Sequence, residues 1–580
     1  MNIKYLIKKD IEQALIKINS NYTYEVFIIS SKKIELGHYQ VDNLMKISSR
    51  LKIKPYKLFQ KILILIEKKK IYKKIIFSHP GFINIFIKNE WLSEKLEIPF
   101  ISSRLGVKYI YPKKNIVIDY SSPNIAKEMH VGHLRSTIIG DVTVRILEFL
   151  GQKVIRANHI GDWGTQFGIL IAYLEDKKLL KKLKKNLLSL QDLDNIYCQS
   201  KKQYNSNELF SKKSREFVVK LQNGDQYCCA IWKKLVSITM LENYKIYKKL
   251  NVTLEEKHTM GESFYNPMLP KIVEDLKKQK IAIEKNGAVI VFLDEFKNRM
   301  GDSMGVIIRK KDKGFLYSTT DIACLKYRYQ NLHADRIIYY TDSRQYQHLL
   351  QSWTIAEKAN YISKNLLLEH HMFGMMLSKN RRPFKTRDGN TIKLSNLLNE
   401  SINRATNLIQ KKQPNLCKKK LIKLGEIIGI SAVKYSDLSK NRNTNYIFDW
   451  DKMLSFEGNT APYIQYAYTR IISILKKSNI PLHKIKMKII LNEESEINLA
   501  IKILEFEEII LLIAKNGTPH IMCKYLYQLS TYFSHFYENC SILFSEKIKI
   551  RKSRIKLSFL TAKTIKKGLN LLGIKTIKKM

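Results

Sequence analysis

Ser121-Ser122-Pro123-Asn124-Ile125-Ala126-Lys127-Glu128-Met129-His130-Val131-Gly132-His133 is the stretch on which the fold turns. Just upstream, Asn115-Ile116-Val117-Ile118 is a short apolar run bounded by Pro112 and by Ser121-Ser122-Pro123, as expected of a strand buried on both faces. Downstream, Leu134 to Leu150 has helical apolar spacing that Gly151 can stop. Strand, loop and helix in that order open a parallel sheet, with a helix amino terminus at its carboxyl edge. Free N–H groups and a partial positive charge there favour an anion. His130 and His133, three residues apart, can reach that anion together, and Gly132, lacking a Cβ, lets a flat base or a phosphate approach the backbone. An isolated H-x-G-H is more often a pair of surface histidines; the strand and helix around this one point to phosphate chemistry.

The same alternation continues outward. Val154-Ile155-Arg156 reads as a strand, Phe167 to Leu174 as a helix, Arg336-Ile337-Ile338-Tyr339-Tyr340 as a strand and Gln345 to Ala359 as a helix, which together predict a doubly wound α/β core. Residues 1 to about 110 mix helical patterns with the strand signal Gly81-Phe82-Ile83-Asn84-Ile85-Phe86-Ile87, as in a small α+β domain. The core then spans 111–448, interrupted at about 175–285 by a lysine-rich, mostly helical insertion. From 449 to 580 strand signals fade and amphipathic runs such as Ala461 to Lys476 and Glu505 to Ala514 suggest an all-α bundle.

At 580 residues the chain is long enough for about three or four domains. Lys+Arg at 101 against Asp+Glu at 52 gives a net charge of +49, which favours a polyanionic partner such as nucleic acid, although lysine is spread through every stretch. No run of about 18 apolar residues occurs; Ile62 to Ile66 is stopped by Glu67, and Lys4, Lys8, Lys9 and Asp10 occupy the amino end where a secretory segment needs an apolar core. These features predict a cytoplasmic protein that spans no membrane. Seven cysteines without a C-x-x-C pair predict reduced thiols, and no metal site.

The quoted segment resembles the HIGH box of class I aminoacyl-tRNA synthetases, and its flanks resemble the arginyl-tRNA synthetases. The resemblance extends through Asn158-His159-Ile160-Gly161-Asp162-Trp163-Gly164-Thr165-Gln166-Phe167-Gly168, Tyr317-Ser318-Thr319-Thr320-Asp321, Phe384-Lys385-Thr386-Arg387 and Gly458-Asn459-Thr460-Ala461-Pro462-Tyr463-Ile464-Gln465-Tyr466. It implies a Rossmann-like catalytic domain, an extra amino-terminal domain at the tRNA elbow and a carboxy-terminal anticodon-binding bundle. It further implies a monomer that uses ATP with Mg²⁺ as co-substrate, L-arginine and tRNA(Arg), with no tightly bound cofactor. Arginine would attack the α-phosphorus of ATP, and the terminal ribose of tRNA would then take the arginyl group.

By resemblance, Pro123, Asn124, His130, Gly132 and His133 bind ATP, and the two histidines face its phosphates. Arginine carries donors only on its guanidinium and a cation on its α-amino group, so its pocket needs carboxylates or acceptors. Asp119 ends the first buried strand, and Asp321 follows Tyr317 by four residues, the spacing of one helix face. The resemblance places Asp119, Ser122, Asn124, Tyr317, Asp321 and Gln345 in that pocket; without it, Asp119 reads as a turn cap and Asp321 as an ordinary surface carboxylate. The lysine loop usual in class I enzymes is missing from Met375 to Arg387, which leaves Lys127, Lys379 and Lys385 as candidate cations for the pyrophosphate. Tyr463 and Tyr466 share a helix face by spacing, and the resemblance puts them, with Met580, on tRNA. Small nucleotidyltransferases also carry H-x-G-H, but they lack the two flanking domains. A non-catalytic RNA-binding protein would explain the charge and leave the paired histidines unexplained.

Overall fold

In a computed structural model, all residues are described except 1, 22, 24, 32, 33, 299, 383–391, 483, 484, 578 and 580. The apolar run before the quoted segment forms β1 (Asn115–Asp119). Its side chains alternate between two cores: Ile116 and Ile118 pack on one face of the sheet, Val117 on the other. Three further strands, β2 (Lys153–Ala157), β3 (Arg336–Tyr339) and β4 (Leu367–His370), pair in parallel in the order β4-β3-β1-β2. The chain leaves β1 toward β2 and later returns on the opposite side as β3. A crevice therefore opens at the carboxyl ends of β1 and β3, where Asp119 and Tyr339 are in register.

Helix α1 (Val131–Phe149) follows β1 and ends as its sequence predicts: Gly151, at φ +86°, donates to Glu148 O at 2.9 Å, and Gln152 N donates to Leu147 O at 3.0 Å. Helix α2 (Thr165–Asp176) follows β2. The lysine-rich stretch beyond it is helical, with α3 (Leu190–Ser206) between Leu180–Lys184 and the helices Glu208–Gln222 and Gln226–Lys249. One element was not anticipated. A three-stranded antiparallel ribbon, Ala282–Lys285, Ala288–Lys297 and Ser303–Arg309, precedes α4 (Tyr317–Gln330). Val289, Val291 and Leu293 of the ribbon are buried in the second core, on the period of two that a half-buried strand requires. Helix α5 (Tyr346–Lys358) joins β3 to β4.

The amino-terminal region holds a four-stranded antiparallel sheet, ordered Ile28–Ser30, Tyr39–Val41, Phe82–Ile87, Tyr72–Ser78, with helices Ile3–Ile18 and Pro55–Ile66. Beyond Tyr446–Ile447 the described residues form helices only, including α6 (Ala461–Lys477), His520–Asn539 and Ile548–Leu571. The two terminal regions touch through Lys4–Glu508 at 2.9 Å and through the buried Lys556 ammonium, 2.7 Å from Glu97. Among the described residues no helix is long and apolar enough to cross a membrane.

Candidate active site

The elbow between β1 and α1 departs from ordinary backbone. Ser121 (φ 74°), Ser122 (φ 48°) and Ala126 (φ 61°) are all left-handed, at a cost of order 1–3 kcal/mol each. Each amide has a fixed acceptor: Ser136 Oγ for Ser121 (2.9 Å), Asn158 Oδ1 for Ser122 (3.0 Å) and Thr239 Oγ1 for Ala126 (3.0 Å). The elbow delivers His130 to the N-cap of α1. His130 Nδ1 accepts from Gly132 N and His133 Nδ1 accepts from His130 N, both at 3.1 Å, with the rings 4.0 Å apart. Since each Nδ1 is an acceptor, each proton sits on Nε2. Burial, with Lys127 adding its charge, lowers the pKa of His130. Burial and then the His130 and Lys127 charges push His133 down to about 3, against a backbone contact that raises it. The pair thus presents neutral Nε2–H donors. A Cβ on Gly132 would lie 2.8 Å from His130 Cε1, so that glycine makes room first for the imidazole itself.

The strand-like segment carrying His130 has a distant partner. Val131 N donates to Ile392 O (3.0 Å), Leu394 N donates to Met129 O (2.9 Å), and Lys393 ion-pairs with Glu128. Of the candidate cations, Lys127 precedes this segment directly. Lys379 is exposed and 3.8 Å from Asp449. Lys385 lies outside the described residues, as does Met580.

Asp321, on α4, stands between two imidazoles, with His348 Nε2 at 2.5 Å and His159 Nε2 at 3.9 Å. Tyr317, at the first turn of α4, is 61% exposed and packs edge-on against His348 at 4.6 Å. Burial opposes a charge on His159, but Cys324 beside it and the Asp119 and Asp321 carboxylates outweigh that and hold it at about 10. Asp119 does not open to the crevice as Asp321 does. Its carboxylate accepts from Ser122 Oγ (2.9 Å) and is 2.6 Å from the guanidinium of the wholly buried Arg328. Asn124 is exposed at the elbow; Gly161 packs there because a Cβ would come within 2.8 Å of the Asn124 amide oxygen, and Gly161 N donates to Pro123 O. Gln345 is exposed on the turn Ser343–Gln345, before α5.

One acidic residue escapes the sequence reading. Met260 N donates to Asn158 O and Glu262 N to Ile160 O, so the segment 260–263 lies along the chain that follows β2. Gly261 is pressed on the Asp162 carboxylate, which accepts from Ser263 N and Oγ. Glu262 is thereby fixed beside Asp321. Burial raises its pKa to about 7; His159 lowers it, and Asp321 and Asp162 add to the rise. The only cue in the sequence is a carboxylate between Gly261 and Ser263 in a very basic chain.

The tyrosines of α6 have different surroundings. Tyr463 is half-buried with its ring 5.5 Å from Tyr527, whereas Tyr466 is 50% exposed and lines a cavity of about 250 Å³ with Leu424, Ile428 and Phe456.

The chain matches three family models in order: the arginyl tRNA synthetase N terminal domain over 5–87, the class I (R) tRNA synthetase catalytic domain over 100–450 and the DALR anticodon binding domain over 464–580. It is 71% identical over 580 residues to an arginine–tRNA ligase of Buchnera aphidicola and 52% identical to that of Photorhabdus laumondii, with both chains of each pair covered in full. A crystal structure of the Plasmodium falciparum arginyl-tRNA synthetase superposes with a TM-score of 0.86 at 34% identity, covering 100% of this chain and 99% of that one. The Thermus thermophilus arginyl-tRNA synthetase, at 19% identity and a TM-score of 0.81 over both whole chains, shares the fold. With a helix-start histidine pair at the sheet's crevice and catalytic, amino-terminal and anticodon-binding models matched along its length, the chain belongs to the arginyl-tRNA synthetase family of class I tRNA synthetases.

Proposed function

We propose that this protein is an arginine–tRNA ligase that consumes ATP and releases pyrophosphate and AMP. What supports the reading is two groups of side chains at the carboxyl edge of one sheet: neutral Nε2–H donors from His130 and His133, and the Asp321 carboxylate with Glu262 beside it. The donors suit ATP phosphates, and the carboxylates suit a guanidinium. The arginine carboxylate attacks the α-phosphorus, pyrophosphate leaves, and the arginyl group passes to the terminal ribose of tRNA(Arg) with AMP as the leaving group. Neither step needs a covalent enzyme intermediate. Catalysis therefore rests on positioning and on donors aimed at charge that grows on the phosphates. Magnesium enters with ATP as co-substrate. Lys127, Lys379 and Lys385 are the candidates for the pyrophosphate charge, and Tyr317, Asn124, Ser122 and Gln345 complete the arginine site.

The terminal regions extend the reading to the whole tRNA. Residues 1–110 contact its elbow, 111–448 carry the chemistry and 449–580 read the anticodon, with Tyr466 offering the more open ring of the tyrosine pair and Met580 close to the same RNA. The enzyme works as a cytoplasmic monomer. The test is exchange of labelled pyrophosphate into ATP over all twenty amino acids, with and without tRNA. Exchange that depends on arginine alone, together with charging of tRNA by arginine alone, is expected. Efficient activation of lysine or methionine would overturn the assignment.

A further inference from the structure

Lys127 lies three residues before His130, yet its ammonium does not project freely into the crevice. Its Nζ is 4.4 Å from the centroid of the Tyr197 ring. Tyr197 belongs to α3, in the insertion where the sequence shows no motif, and it is half-buried against the insertion's own core, so packing fixes the ring. Asp194, three residues earlier, lies on the same face of α3. Burial raises the Asp194 carboxyl, Lys393 and Lys127 pull it down and Glu128 pushes it up, which places all four groups in one cluster. The backbone on the other side of Lys127 is held as well, by the Glu128–Lys393 ion pair and the hydrogen bonds between 129–131 and 392–394.

An ammonium on a four-carbon stem has many rotamers to lose before it can meet a phosphate. An aromatic face removes that freedom at small cost. It attracts the cation by its quadrupole but satisfies none of its N–H donors, so the ammonium stays able to bind a triphosphate oxygen. We propose that Tyr197 is a positioning residue for adenylate formation, its ring holding the Lys127 ammonium beside the histidine pair for delivery to the pyrophosphate of ATP. This rests on the ligase reading and on Lys127 being a phosphate-side cation.

The experiment uses the full-length enzyme with tRNA present and measures arginine-dependent pyrophosphate exchange for Y197L, Y197F, Y197W, K127A and the double variant Y197L/K127A. Y197L should lower kcat/KM for ATP by about 3- to 30-fold, the range of such cation–ring contacts, with KM for arginine within about twofold of the parent. Y197F and Y197W keep an aromatic face and should stay within about twofold. In the K127A background, Y197L should cause no further loss. The proposal is overturned if Y197L matches the parent while K127A is impaired, if Y197F falls as far as Y197L, or if the Y197L loss is undiminished without Lys127, which marks a packing role. Full activity of K127A removes both Lys127 and Tyr197 from the phosphate site but leaves the ligase assignment standing, since that depends on the parent's own arginine-dependent exchange.

Discussion

His133, at the start of α1, and His159, just after β2, are both largely enclosed near the carboxyl edge of the sheet, yet one ring is neutral at pH 7 and the other cationic. His133 is held down to about 3 and His159 up to about 10. Burial lowers both, so burial does not separate them. Their neighbours do: His133 has His130 and Lys127 nearby, whereas His159 has Cys324 first and then the carboxylates of Asp119 and Asp321. The end proposed for phosphate therefore offers neutral donors that an anion can meet without displacing a counter-ion. The end proposed for arginine holds the Asp321 carboxylate beside His159, a cation whose place a guanidinium would take. The signs of the pH effects are opposite too. Relative to an unfolded pKa of about 6.5, His133 costs stability as pH falls from there toward 3, while the stability His159 contributes is complete below about 6.5 and lost as pH rises through 10.

The largest effect that would break this contrast is expected at Asp119, which belongs by position to the arginine end but is bound to Arg328. Asp119→Asn leaves a buried guanidinium without its counter-charge and should cost about 3–5 kcal/mol in denaturant unfolding, with a smaller change in KM for arginine. A variant with parent stability and weakened arginine binding would instead put Asp119 in the pocket. At the phosphate end, His130→Ala or His133→Ala should each lower the exchange rate by roughly 10²-fold with arginine affinity little changed. That loss should be the same at pH 7 and pH 8, because both rings are already neutral; a loss that disappears as pH rises would mean that a charged imidazole is the working form.

Asp321→Asn removes the carboxylate that meets His348 and should weaken arginine by about 1.5 to 3 kcal/mol while sparing ATP. Glu262 gives a pH signature. With a pKa of about 7 in the free enzyme, it is mostly protonated at pH 6, and a guanidinium beside it favours the anion. Arginine binding should release a proton at pH 6 and tighten by about tenfold between pH 6 and pH 8, measured by calorimetry in buffers of different ionisation enthalpy; Glu262→Gln should abolish the release. The smallest effect is expected in the bundle, where Tyr466→Ala should raise KM for tRNA by about fivefold through the loss of roughly 1 kcal/mol of stacking. Tyr463→Ala, which removes packing against Tyr527, should show more in stability than in anticodon discrimination.

Patterns within one element were legible. Ile116 to Ile118, the helical run ended by Gly151, and the alternation of Phe82 to Ile87 each sit where local chemistry alone requires. The ribbon 282–309 was not, although Val289, Val291 and Leu293 alternate as they should, because its first strand falls inside a stretch whose lysines and helical spacing set the reading. Of the candidate site, the sequence singles out residues that lie in motifs and gives no sign of contacts made between distant positions. Nothing near Arg328 in the sequence announces Asp119, 209 positions away, and nothing near Glu262 announces Asp321. Charge state was hidden for the same reason, since an H-x-G-H has no pKa until its neighbours in space are known.

The hydrogen bonds from Val131 to Ile392 and from Leu394 to Met129 also bear on the order in which the molecule folds. The β1–elbow–α1 unit is local and can form soon after its residues meet, but the segment that carries His130 is completed by residues some 260 positions later. Closing so long a loop carries an entropic cost that local elements do not, and the β1–β3 pairing, about 220 positions apart, carries nearly the same cost. An intermediate that holds only the local β1–elbow–α1 unit therefore lacks the 392–394 contacts that complete the His130 segment.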